Sequence, residues 1–171
     1  MTTKERDIVE VMDSMPYGLY IVGSHGESGP NGMMADWLTQ VSFRPRLLSV
    51  AIENDATTLA NIRANSVFTV NFLIESAAGF AVARQFAAPF LAAKVHPKSE
   101  GVRPKLEHVA HRLTDRGCPV LTSALAWLEC ELVNLVPTGD HTIVVGQVID
   151  GRYRAEGAPL TSSYAGWTYS G

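Results

Sequence analysis

Ala126-Trp127-Leu128-Glu129-Cys130-Glu131-Leu132-Val133-Asn134-Leu135-Val136 runs into Pro137-Thr138-Gly139-Asp140-His141 and returns through Thr142-Ile143-Val144-Val145-Gly146-Gln147-Val148-Ile149. Two stretches rich in apolar and β-branched residues flank a cluster of turn formers, the pattern of a long β-hairpin. Its inner face is expected to close a barrel. Shorter runs of strand character precede it at Leu19 to Ser24, Met33 to Val41, Leu47 to Ile52 and Val67 to Leu73, and together they read as an antiparallel set.

Helical segments are fewer. Lys4 to Met12 carries Ile8, Val9 and Met12 among charges, which predicts a short amphipathic helix ended by Pro16 and Gly18. Thr57 to Ala64, with Leu59, Ala60 and Ile62, predicts a helix wedged between two strands and capped by Asp55 or Thr57. Ala77 to Leu91 is rich in Ala and Phe and reads as helical up to Pro89. Lys94 to Arg116 turns polar and basic, a loop with one short strand. No repeat, low-complexity tract or linker interrupts the chain, so one domain over residues 1–171 is expected, mainly β with helices.

Composition narrows the functions open to this chain. With 46% apolar and 18% charged residues in 171, it is long enough to bury one core. No apolar run reaches the roughly 18 residues that span a bilayer, and the first 13 residues are charged rather than signal-like, so a cytoplasmic location and no membrane partner are expected. The net charge of -3 gives no electrostatic reason for a nucleic-acid partner. Cys118 and Cys130 match no disulfide framework or zinc spacing and read as buried thiols. His108 and His111 stand three apart but lack a third ligand, so no metal is assigned. Lys94, His96, Lys98, Arg103 and Lys105 form a basic segment that suits either a solvated loop or the phosphate of a nicotinamide dinucleotide. Trp127 and Trp167 read as core or dimer-contact residues, and no Gly-x-Ser-x-Gly elbow is present.

Two segments carry possible chemistry. Asn31-Gly32-Met33-Met34-Ala35-Asp36-Trp37-Leu38-Thr39-Gln40-Val41-Ser42 follows a Gly-rich turn and is polar for a strand. Asn31 and Gly32 permit a tight turn, Ala35 leaves room beside the chain, and Asp36, Gln40 and Ser42 supply polar groups. It reads either as a turn leading into a core strand or as a platform for a flat heteroaromatic ring. Glu53-Asn54-Asp55-Ala56-Thr57-Thr58 leaves a strand and opens a helix, where unpaired N–H groups and hydroxyls suit an anion. Simple helix capping accounts for that segment equally well, and Glu53 and Asp55 would repel a phosphate they faced.

Pro16-Tyr17-Gly18-Leu19-Tyr20-Ile21-Val22, Asn31-Gly32-Met33, Gln40-Val41-Ser42, Thr58, Phe68-Thr69-Val70-Asn71-Phe72-Leu73 and Gly139-Asp140-His141 stand in an order and separation that resemble the flavin reductase domain family. The resemblance runs from about Met15 to Tyr164. It implies an FMN-binding split β-barrel, a homodimer, and hydride transfer from NADH or NADPH to the flavin, with a monooxygenase as possible recipient of the reduced flavin. It also implies that Met33, Met34, Ala35, Asp36, Trp37, Gln40, Val41 and Ser42 line the ring. Glu53, Asn54, Asp55, Thr57 and Thr58 would then hold the ribityl phosphate, and His141 would lie near the nicotinamide. Met34 stands where the family usually has Thr, Asp36 where Ser or Asn is usual, and Arg44-Pro45-Arg46 where an acidic residue and two prolines are usual. Two other readings compete: an FMN-bound electron carrier reduced by a partner protein, and a binding module that has lost flavin.

Overall fold

The computed structural model describes residues 2–93 and 105–167, with residues 88–93 described by their backbone alone. Lys94, His96, Lys98 and Arg103 of the basic segment lie outside the described residues. In chain order the elements are α1 (Thr3–Asp13), β1 (Tyr20–Gly26), β2 (Gly29–Ala35), β3 (Leu38–Ser42), β4 (Leu47–Glu53), α2 (Thr57–Asn65), β5 (Val67–Phe72), α3 (Ala77–Ala93), β6 (His111–Leu113), β7 (Pro119–Leu121), β8 (Ala126–Thr138), β9 (His141–Tyr153) and α4 (Ser162–Ala165). Among the described residues no helix is long and apolar enough to cross a membrane.

Seven strands form one antiparallel sheet in the order β2-β1-β5-β8-β9-β4-β3. The hairpin of β8 and β9 joins two halves. Its base pairs Ala126 to Glu131 with β5, while its tip pairs His141 to Gln147 with β4. The expected closure of the barrel by hydrogen bonds does not occur: β2 and β3 remain as sheet edges. These edges are consecutive in the chain and separated only by Asp36-Trp37, which makes the fold a split barrel with its seam at those two residues.

The seam corrects the reading of Met33 to Val41 as one strand. The Leu38 amide turns back to the Asp36 carbonyl at 2.9 Å, and the Trp37 carbonyl accepts from Ala51 at 3.0 Å. The chain therefore leaves β1 and joins β4. At the hairpin tip the arms extend further than expected, leaving Gly139-Asp140 as a two-residue turn with Gly139 at φ +53°. α2 starts behind Ala56, not a capping Asp55 or Thr57, and no side chain caps it. α1 ends at Asp13, before Pro16, and α3 continues through Pro89, at the loss of one backbone donor.

Inside the barrel, Val22, Val50, Ile52, Leu59, Ile62, Phe68, Val70, Cys130 and Val144 form the main core. Phe68 is fully buried and its ring lies on Gly146, where a Cβ would come within 2.5 Å of it. Only glycine permits that approach, and removing the Phe68 ring would cost about 3–5 kcal/mol. Leu19, Ile21, Leu73, Phe86, Leu106, Leu121 and Leu160 form a second core between the other face of the sheet and α3.

Candidate functional site

The seam gathers aromatic and titratable side chains. The Trp37 ring centre lies 5.0 Å from that of His141 at 44°, and 6.5 Å from that of Tyr17 at 54°. His141 opens β9, pairs across the turn with Thr138, and pairs with Glu53 at the end of β4. Its Nδ1 lies 2.7 Å from Asp140 Oδ1, which fixes the ring orientation. The hydrogen bond to His141, then its charge, holds the Asp140 carboxyl below its ordinary range. At Asp36 the balance is opposite. Burial pushes its carboxyl up, opposed by the backbone N–H groups of Asp36 and Trp37 and by the charge of His141. Tyr17 is held from the far side of the chain: its amide donates to Ser162 Oγ at 2.9 Å, and its carbonyl accepts from the Ser162 amide at 2.8 Å.

The residues expected to line a ring divide by strand periodicity. Met33 and Ala35 turn toward the main core and Met34 toward the second. Asp36 and Trp37 stand at the seam. Gln40 and Val41 are exposed beyond it, where a bulge falls between Gln40 and Ser42 and Gln40 Nε2 donates to the Ser42 carbonyl at 3.1 Å. Each strand pairs on one side only, so the outer backbone edges of β2 and β3 have no partner in the sheet.

The turn from β4 into α2 is tied to the hairpin tip by Asn54. Its amide donates to the Asp140 carbonyl at 3.0 Å, its Nδ2 to the Gly139 carbonyl at 3.1 Å, and its Oδ1 accepts from Thr142 Oγ1 at 2.7 Å. Asn54 is thus spent on positioning. Glu53 and Asp55 are exposed. Glu53 faces Lys105: burial pushes the Lys105 ammonium down, and the charge of Glu53 opposes that. Thr57 is exposed at the start of α2, whereas Thr58 is 1% exposed and its Oγ1 accepts from Asn31 Nδ2 at 2.9 Å. A ligand at this helix end therefore meets Thr57 and the uncapped first-turn N–H groups before Thr58.

The structure brings Asp36, Trp37 and His141 together and sets Glu53 and Asn54 beside them through the β4–β9 pairing. It leaves Met33, Met34 and Thr58 inside the packing and Gln40, Val41 and Ser42 beyond the seam. Tyr17 carries no site reading in the sequence, and Lys105 only the two-way reading of the basic segment, a solvated loop or a dinucleotide-phosphate contact. Tyr17 depends on Ser162, 145 residues away, so no local pattern announces it.

Other singled-out residues fall elsewhere. His111 lies in β6 with Nδ1 2.8 Å from the Val109 carbonyl, and His108 is exposed in the preceding turn, so the two share no helical face. Trp127 is 5% exposed in β8, and Trp167 packs on Phe80 with ring centres 5.2 Å apart. Cys118 and Cys130 are buried; burial and the charge of Glu129 push both thiols up to about 12, which leaves them protonated at neutral pH.

The profile of the flavin reductase like domain matches residues 12–168. The chain belongs to the flavin reductase like domain family. This flavin reductase like chain is 31% identical, over 93% of its length and 80% of the relative, to the flavin reductase (NADH) of Kitasatospora aureofaciens. It is 29% identical over 90% of its length to diflavin flavoprotein A 1 of Synechocystis sp., of which it spans only 25%. Among solved structures, the NADH:FAD oxidoreductase of Streptomyces globisporus superposes with a TM-score of 0.76 at 29% identity, covering 94% of this chain and 90% of that one. The family's split barrel is the fold described above.

Proposed function

We propose that this flavin reductase like chain binds FMN at the seam between β2 and β3 and catalyses hydride transfer to it from NADH or NADPH. The observation that carries this reading is the meeting of Trp37, His141 and Asp36 where the chain passes from the edge strand β2 to the edge strand β3. The residues present suit the group. Unpaired backbone edges of β2 and β3 offer donors and acceptors to a polar ring edge, Trp37 and Tyr17 offer aromatic faces, and the uncapped start of α2 with Thr57 offers N–H groups to a phosphate.

A bound flavin supplies the hydride-accepting chemistry itself. What the chain supplies is placement. Trp37 and Tyr17 flank the ring site and exclude water from one side. His141, oriented by Asp140 and carried on a hairpin tip latched by Asn54, lies at the mouth where the nicotinamide arrives. Asp36 keeps a half-buried carboxyl beside His141, where burial opposes its ionisation and the charge of His141 favours it.

Names of relatives support the reading. The Streptomyces globisporus protein was also solved with NAD and FAD fragments, and a structure 26% identical is the flavin reductase component of a two-component tryptophan halogenase. By the same reading the chain acts as one domain, as a cytoplasmic homodimer, and passes reduced flavin to a separate monooxygenase. Exposed Val133, Val136, Ile149 and Tyr153 on the hairpin supply apolar area for a second copy. Fluorescence titration of FMN against wild type and Trp37→Ala tests the site: quenching that saturates in wild type and weakens in the variant is expected, and no quenching by wild type overturns the reading.

A further inference from the structure

The turn between β3 and β4, Phe43-Arg44-Pro45-Arg46, is exposed throughout, and Phe43 leaves 84% of its surface in solvent, more than any other large apolar residue described. An aromatic ring so bare is unusual, and here a guanidinium follows it directly and another stands two residues further on. Neither Arg44 nor Arg46 has a carboxylate partner among the described residues, although the chain carries a net charge of -3. Beside Phe43 lies a cavity of about 200 Å³ lined by Gln40, Val41, Ser42 and Phe43. The backbone under the turn is anchored: the Arg46 carbonyl accepts from the Val148 amide at 3.0 Å, and the Ser42 carbonyl from Gln40 Nε2 at 3.1 Å. The side chains are therefore presented from a fixed base.

The position of this turn is as informative as its composition. It continues β3, the edge strand that starts at the seam, and the six steps along the chain from Trp37 to Phe43 span about 20 Å when extended. A ligand with one ring at Trp37 reaches Phe43 only if it carries a second ring at the end of a long anionic tether. That is the anatomy of a dinucleotide. Phenylalanine offers a stacking face for a purine base, and arginine forks bind phosphate oxygens in pairs.

We propose that Phe43, Arg44 and Arg46 hold the adenosine-phosphate half of a dinucleotide whose other ring occupies the seam. The inference rests on the flavin-site reading above and adds to it a preference for the dinucleotide over the mononucleotide form. The dinucleotide is NADH, with reduced nicotinamide mononucleotide as its truncated form: a flavin whose phosphate lies at the start of α2, at the opposite end of β4 from this turn, does not also reach Phe43.

Phe43→Ala and the double variant Arg44→Ser/Arg46→Ser test this. Affinities for FAD and FMN come from fluorescence quenching, and kcat/KM for NADH and for reduced nicotinamide mononucleotide from anaerobic turnover. In both variants the ratio of kcat/KM for NADH to that for reduced nicotinamide mononucleotide falls about tenfold, while the FAD-to-FMN affinity ratio stays within about twofold of wild type. The loss in the arginine variant shrinks as salt is raised. If the nicotinamide ratio stays within twofold of wild type in a protein that binds flavin, or the flavin ratio falls instead, the assignment of the turn is wrong. If wild type binds neither FMN nor FAD, the seam reading fails and the turn's assignment falls with it.

Discussion

Two tryptophans mark opposite ends of this barrel. Trp127, at the base of the hairpin, is 5% exposed on a strand paired on both sides, with the Arg112 guanidinium 4.9 Å from its ring centre. On the same face of the sheet, buried Asn71 binds the Ile21 and Pro119 carbonyls and the Leu121 amide, while Thr69 donates to the Pro119 carbonyl at 2.6 Å. Trp37, at the seam, is half-buried where the sheet runs out of partners, beside a histidine and a carboxyl whose ionisation burial opposes. Both tryptophans pack against a neighbouring side chain, but only the second borders backbone edges without sheet partners and an aspartate whose titration is shifted by burial. An aromatic residue whose strand is fully paired stabilises the fold; one at an unpaired edge is available to a ligand.

Substitutions at the two ends should separate these roles. Trp127→Ala is expected to lower stability by about 3–5 kcal/mol while leaving flavin affinity per folded molecule within twofold, read from denaturant midpoints and titration. Asn71→Leu removes three buried hydrogen bonds and leaves the Leu121 amide without its partner, and should cost about 3 kcal/mol or more, again with little change in affinity. Comparable losses of flavin binding in these variants would erase the contrast. Trp37→Ala should invert the pattern, weakening FMN roughly tenfold to a hundredfold with a smaller loss of stability, since stacking is worth about 1–3 kcal/mol.

His141→Ala should slow hydride transfer about tenfold in anaerobic stopped-flow, at nearly unchanged FMN affinity. The smallest effect is set by pH. The Asp36 carboxyl is raised in the folded state, so its ionisation opposes folding: the cost is absent below the ordinary carboxylate range and is complete above the raised folded value. Asp36→Asn should therefore raise Tm by about 2 °C at neutral pH, a gain that fades on acidification. A gain of equal size at acid pH would place its cause outside the titration of Asp36.

How far the sequence announced all this depended on the range of the interactions. The hairpin, α2 and the strand pattern of β1, β4 and β5 rest on local alternation and turn residues, and they stand close to the expected bounds. The break at Asp36-Trp37 was invisible because nothing in Met33 to Val41 interrupts its strand character. Only the pairing of Trp37 with Ala51 across the seam reveals it. β7 was missed for the same reason, being three residues held by Thr69 and Asn71 from about fifty positions away. At the site, Asp36, Trp37 and His141 were legible through resemblance. Their convergence, the latch at Asn54 and the support of Tyr17 by Ser162 were not, because each is made by a contact distant in the chain.

The central claim is that the seam presents a flavin to a nicotinamide. Its most direct test is the visible absorbance of the purified protein with FMN, recorded anaerobically before and after addition of NADH or NADPH. The account predicts that wild type bleaches the flavin band within seconds and that Trp37→Ala does so far more slowly at the same flavin concentration, whereas Trp127→Ala, once folded, bleaches it as wild type does. A flavin band that persists with wild type under excess of both nicotinamides, or one that Trp37→Ala bleaches at the wild-type rate, would contradict it.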